Sequence, residues 1–250
     1  MVKETKVFEN AEPVDAWDKN MQTLVQELLN SDQVDSSVKA IHQQMADSGE
    51  TKSLLLAAAN AWKLAGYGIF SGYFHEKLGL VYNQPENWFK AGKNFYEILY
   101  AINDSSIKYS MLTHAISAFE KAIMLDSSNL DAKAYKADLL LSYQMGPPMN
   151  SVLELKKILA NNPNHENSLL IYAQALITIG STDKAEQTLK HLTSVSRKPY
   201  YWQFLAEEIY VAQKRYTEAL AAYQQHVSLL KDSISVKSAN ARIKQIEQEL

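Results

Sequence analysis

The sequence predicts an all-α solenoid of stacked antiparallel helix pairs, and three observations lead there. Chain breakers are scarce: 250 residues hold 8 Gly and 6 Pro, while Ala, Leu, Lys, Gln and Glu recur throughout, a composition that favours long helices joined by short turns. Small and large apolar side chains return at a step of 34 residues, so that Leu176 aligns with Tyr210, Ala185 with Ala219, Leu189 with Tyr223 and Leu192 with His226. The same step backwards from Ala185, Leu189 and Leu192 reaches Ser151, Leu155 and Ile158. Finally, 46% of the residues are hydrophobic, enough for a buried interior. A repeat of this length is one helix pair, which cannot bury its apolar face alone and must stack on its neighbours.

Residues 13–29 read as a first helix with Trp17, Met21, Leu24, Val25, Leu28 and Leu29 on one side. Residues 36–45 read as a second. Residues 51–65 and about 69–81 are expected to form a further pair, with Gly66, Tyr67 and Gly68 in the turn between them. These amino-terminal helices are taken as degenerate repeats in preference to a cap peculiar to this chain.

The first recognisable copy carries Trp88, Ala91, Gly92 and Phe95, then Ala115, Phe119 and Ala122. The second spans about 131–163, with Gly146, Pro147 and Pro148 as a stiff turn. In the third, a helix over 166–179 is broken by Gly180, which supplies a left-handed turn. Its second helix starts near Thr182, where Asp183 can serve the free amides, and Ala185 is small because the two helices cross closely there. The fourth copy holds Trp202, Leu205, Tyr210, Tyr216, Ala219 and Tyr223. Residues 233–250, with Ile234, Val236, Ile243, Ile246 and Leu250, read as a helix that covers the end of the array.

These residues resemble the tetratricopeptide repeat family, in four copies over residues 86–231. The fourth copy matches best, although Glu207 stands where the family has Gly or Ala. In the first copy twenty positions separate Phe95 from Ala115, against about nine in the family pattern. An insertion of about three helical turns or a long loop is therefore expected, bending near 103–106. The resemblance implies a right-handed superhelical solenoid with the first helix of each pair lining a concave face. It also implies a plan of four parts: a disordered or extended tail over 1–12, irregular helical repeats or a cap over 13–85, the array over 86–231 and a capping helix over 232–250.

Function follows from the same resemblance: a scaffold or adaptor that binds a peptide or partner protein on the concave face, without catalysis or cofactor. The concave positions left after the packing slots are assigned are Phe89, Lys93 and Tyr96 in the first copy, and Lys133, Lys136, Leu140 and Tyr143 in the second. The third offers Asn167, Leu170, Gln174 and Ile177; the fourth offers Tyr201, Phe204 and Glu208. Rings beside long polar side chains suit a protein-contact surface. Tyr143, Leu170, Ile177 and Phe204 are equally suited to packing between repeats. The lysine, asparagine and arginine clamp by which chaperone-binding members hold a terminal carboxylate is largely absent, since Leu170, Ile177, Phe204 and Val211 stand in its positions. Two alternatives remain: a structural protein that self-assembles into a homo-oligomer through its amino-terminal helices, and a regulatory or substrate-docking subunit of an enzyme complex.

Several chemistries are disfavoured. The chain has no Cys, which excludes disulfides, thiolate metal sites and cysteine nucleophiles. Residues 1–50 carry 4 basic and 10 acidic side chains, and the remainder lacks the basic stripe that nucleic-acid binding requires, so no nucleic-acid partner is expected. The most apolar run, 53–61, is too short to span a bilayer, and the first residues lack a signal-peptide core; a cytoplasmic location is expected, or a periplasmic or membrane-tethered one if a leader or anchor precedes this sequence. His75 begins a zinc-protease-like pattern, but Gly79 stands where its second histidine belongs, so His75 is expected at the surface or between helices. Gly66, Gly68 and Gly72 have the wrong spacing for a phosphate loop and read as an interhelical turn. Adjacent carboxylates such as Glu207 and Glu208 read as a solvated helix face, and Asn103 with Ser105 as a chance glycosylation sequon.

Overall fold

A computed structural model describes residues 14–196, 200–229 and 233–248; the tail expected over 1–12 lies outside them. Among the described residues there are thirteen α-helices and no strand. They fall into two compact units, Met1–Lys136 and Ala137–Leu250.

The first unit holds α1 (Val14–Leu29), α2 (Ser36–Ser48), α3 (Lys52–Leu64), α4 (Gly68–Tyr82), α5 (Pro85–Ile98), a 3-10 turn (Leu99–Ala101), α6 (Ser105–Leu125) and the first part of α7 (Leu130–Ser142). Side-chain caps set the starts of α2, α3 and α6. Asp35 accepts from the Ser37 and Val38 amides, Thr51 from Leu54, and Asp104 from Ser106 and Ile107, each satisfying amides that the first turn leaves free.

Close packing of α4 on α5 and of α5 on α6 rests on glycines facing large rings. A Cβ on Gly72 would lie 2.5 Å from the Phe95 ring, one on Gly79 2.6 Å from Trp88, and one on Gly92 2.9 Å from Phe119. Gly72 pairs with Phe95 and Gly79 with Trp88, so positions rise along α4 as they fall along α5: the two helices are antiparallel. The sequence reading of Gly72 as part of a turn is corrected here. Only Gly66 (φ +85°) is the left-handed turn residue, and Gly72 is a helical contact point. His75, one turn on, is buried between helices, and burial pushes its imidazole down to about 4.

The extra residues after Phe95 become the 3-10 turn, a short bend and added turns at the start of α6, which has 21 residues against 14 in each of α8 (Pro148–Asn161) and α10 (Thr182–Val195). Helix α2 buries Val38 and Met45, and between them His42 Nε2 accepts from Trp62 Nε1 at 2.9 Å. Helix α1 buries Trp17, Met21 and Val25, whereas Leu24, expected on the same side, stays 38% exposed because it sits on the flank of that stripe.

The second unit continues from the end of α7 through α8, α9 (Glu166–Thr178), α10, α11 (Tyr200–Ala212), α12 (Tyr216–Leu229) and α13 (Ser233–Glu247). Its core is Leu169, Ala173, Leu176, Ala185, Leu189, Leu192, Leu205 and Ile209, with Ala185 and Ala219 fully buried where helices cross. The 34-residue step recurs in the backbone. After α9 the Ser181 amide bonds to Leu176 O and Gly180 to Ile177 O; after α11 the Arg215 amide bonds to Tyr210 O and Lys214 to Val211 O. The same double bond closes α3 (Tyr67 to Trp62, Gly66 to Lys63) and α7 (Met145 to Leu140, Gln144 to Leu141). This helix ending needs one left-handed residue, supplied by Gly66 and Gly180, and also by Gln144 (φ +54°) and Lys214 (φ +59°). Helix α13 packs on α12 and buries Ile246; the side chains of Ile234, Val236 and Leu250 lie outside the described residues.

Candidate protein-interaction surface

In the first unit, α5 sets Phe89 and Tyr96 seven residues apart on one face, about 10 Å along the axis. Helix α7, started by Asn129 accepting from the Ala132 amide, brings Tyr135 to both. Its ring lies 4.8 Å from Tyr96 and 6.4 Å from Phe89, and stacks at 5.8 Å on the fully buried Phe119. Tyr100 extends the row, edge-on to Tyr96 at 6.4 Å and 64% exposed. Four rings, Phe89, Tyr135, Tyr96 and Tyr100, thus form a strip over the buried Phe119. Phe89 and Tyr96 are among the concave positions that the resemblance implies; Tyr135, 34 residues before Leu169, and Tyr100, four residues after Tyr96, are not.

The expected lysines flank this strip in ion pairs. Lys93 is 3.9 Å from Glu97, which also meets Lys63 at 3.3 Å, and Lys136 is 3.1 Å from Glu120; Lys133 is half-buried on the same helix as Lys136. Exposed pairs of this kind contribute ~0–1 kcal/mol, so a partner's charges can replace either member at little cost.

In the second unit the projected residues divide. Leu170, Ile177 and Phe204 pack against the core cluster, which favours their role between repeats. Leu140, Tyr143, Asn167 and Gln174 are half-buried and Glu208 is exposed, while the side chain of Tyr201 lies outside the described residues. Glu207 is corrected: instead of joining Glu208 on a solvated face it is 3% exposed. Burial, then the neighbouring Glu208 charge, pushes its carboxyl up to about 8. A shallow groove of about 430 Å³ lies between α8, α9 and α10, floored by Leu159, Leu169 and Tyr172 and edged by Lys184 and His191. His191 Nε2 donates to Pro163 O and Asn164 Oδ1. None of the projected residues lines this groove.

Among the described residues no cluster of three metal-ligating side chains forms, and no helix is long and apolar enough to cross a membrane.

No curated protein matches the chain. Residues 153–207 match the tetratricopeptide repeat family. Among solved structures, a tetratricopeptide repeat protein from Parabacteroides merdae superposes with a TM-score of 0.63 at 13% identity, over 90% of this chain and 80% of that one. YrrB, described as a TPR protein with an unusual peptide-binding site, aligns with a TM-score of 0.47 at 16% identity, over 82% of this chain and 99% of its own. The chain is therefore similar to the tetratricopeptide repeat family, in sequence over residues 153–207 and in fold over nine-tenths of its length.

Proposed function

We propose that this chain is a non-catalytic scaffold that holds a peptide or protein segment against the α5–α7 face, with the rings of Phe89, Tyr96, Tyr100 and Tyr135 as its anchors. The observation that carries the reading is the strip itself: four aromatic side chains in contact, one of them 64% exposed, over a buried floor. Rings give contact area at low entropic cost, and interface energy concentrates in such anchors. Lys93, Lys133 and Lys136 along the strip set the orientation of a partner's carboxylates or carbonyls. A repeat fold with this surface suits protein recognition, and the family likeness supports an interaction scaffold in general terms.

The test is affinity capture from native extract with the native chain and with the Tyr96→Ala/Tyr100→Ala double variant, both checked for native helicity. Loss of two anchors at 1 kcal/mol or more each corresponds to roughly thirtyfold weaker binding, and the partner should vanish from the washed eluate. Equal recovery by the two proteins would remove this face as the site.

A further inference from the structure

Helix α2 is a thin layer on the rest of the first unit. It packs on α3, and of its 13 residues Val38 and Met45 are the two that are buried. His42 lies between them on the same stripe, four residues after one and three before the other. Its ring meets Trp62 of α3 and Phe74 of α4 edge-on, with centroids 5.8 Å and 5.4 Å away. His42 Nε2 stands 2.9 Å from Trp62 Nε1. An indole nitrogen only donates, so His42 Nε2 is the acceptor, and the docked imidazole is neutral with its hydrogen on Nδ1.

Protonation removes that acceptor. A charged imidazole carries hydrogens on both nitrogens, so two donors would face each other across 2.9 Å. The fully buried Trp62 would then hold an N–H without a partner, which is costly. The charged groups around the ring do not offset this. Glu50, just after α2, favours the charged ring and Lys77 of α4 opposes it, and these two are paired with each other at 2.6 Å. From α3 the ring meets the uncharged indole. Tyr73 of α4, beneath Lys77, gives its hydroxyl to Asp18 of α1 at 2.6 Å. Burial is the largest effect on His42 and holds the imidazole below its ordinary 6.5.

Helix α1 is fastened differently. Trp17 Nε1 donates to Glu76 Oε2 at 3.1 Å, and His114 Nδ1 donates to Glu76 Oε1 at 2.8 Å, a bond that a neutral and a charged imidazole both make. We propose that His42 is an acid-sensitive latch: when its Nε2 takes up a proton, α2 leaves α3 and α4 while α1 stays on α4, uncovering Trp62 and Phe74. The latch contributes fully above 6.5. Its contribution is lost as pH falls below that towards the docked ring's own lowered value, the docking equilibrium dropping by up to about tenfold per pH unit. This device is separate from the aromatic strip on α5 and α7.

The chain has no Cys, so a single introduced thiol reports the release of α2. Met45→Cys puts it on the buried side and Gln44→Cys on the exposed side of the same helix. The ratio of their labelling rates with 4,4′-dithiodipyridine, which reacts with thiols in mildly acid solution, measures opening apart from the thiol's own pH dependence. Between pH 7 and pH 5 that ratio should rise at least about threefold. His42→Gln keeps an acceptor that does not titrate, and in that background the ratio should stay level. Met21→Cys, on the buried side of α1, should show no such rise. If Met45→Cys disturbs the helix, Val38→Cys on the same buried side takes its place. A ratio that does not change with pH while His42 is present overturns the proposal, as does an acid rise that persists with His42→Gln or one that is equal at Met21→Cys.

Discussion

Gly72→Ala sets two effects of opposite sign against each other. Gly72 lies inside α4, where replacing Gly by Ala stabilises by about 1 kcal/mol through helix propensity. Its new Cβ would stand 2.5, 2.7 and 3.0 Å from Cε1, Cδ1 and Cζ of Phe95. That ring is fully buried, with Trp17 against it at 5.9 Å and His114 at 6.2 Å, so it cannot swing aside without disturbing both. Overpacking at such a contact costs about 1–3 kcal/mol, and the balance is a destabilisation of about 1 kcal/mol, or roughly 2–4 °C in Tm for a chain of this size. Thermal and urea unfolding followed by circular dichroism measure it. Phe95→Leu removes Cε1 and Cζ, so in that background Gly72→Ala should lose its penalty and become neutral or stabilising, with a coupling of about 1–2 kcal/mol in the double-mutant cycle. If Gly72→Ala stabilises the native background, the close approach of α4 and α5 is not as described and the packing argument fails.

Two other expectations concern the second unit. Lys214 adopts φ +59° at the same point of the turn where Gly180 has φ +77°; Lys214→Gly should relieve left-handed strain and stabilise by about 1 kcal/mol, while Gly180→Ala should destabilise by a similar amount, both read from urea midpoints. Glu207, with its carboxyl raised to about 8 by burial, stays protonated in the folded chain over a range where the unfolded chain has ionised it. Its contribution is present below about 4.5 and lost as pH rises through 8. Glu207→Gln should therefore gain in Tm relative to the native chain between pH 5 and pH 9, and a gap that is constant over that range contradicts the burial.

Much of the local architecture was legible in the residues. Gly66 and Gly180 announced their turns because a left-handed ending favours glycine; Gln144 and Lys214 form the same ending and gave no sign, since the hydrogen bonds that impose it come from residues up to five positions back. The step of twenty from Phe95 to Ala115 signalled an insertion, but whether it became loop or helix depended on Asp104 finding the Ser106 and Ile107 amides. For the aromatic strip, the concave positions that the resemblance implies include Phe89 and Tyr96 but not Tyr135, because a position within a repeat reports which helix face a residue shares and not how far its ring reaches across to the next helix.

By itself the sequence determined the helical fold class, the approximate place of most helices and the step that stacks them, because these follow from periodicity within about one turn or one repeat. Tertiary structure alone decided three things: that Glu207 is buried, that Gly72 and Gly79 are contact points for Phe95 and Trp88, and that Trp17 and Asp18 answer Glu76 and Tyr73. Each joins groups on different helices whose separation along the chain carries no period, and it is the folded arrangement that removes them from water and makes their hydrogen bonds, charges and volumes matter.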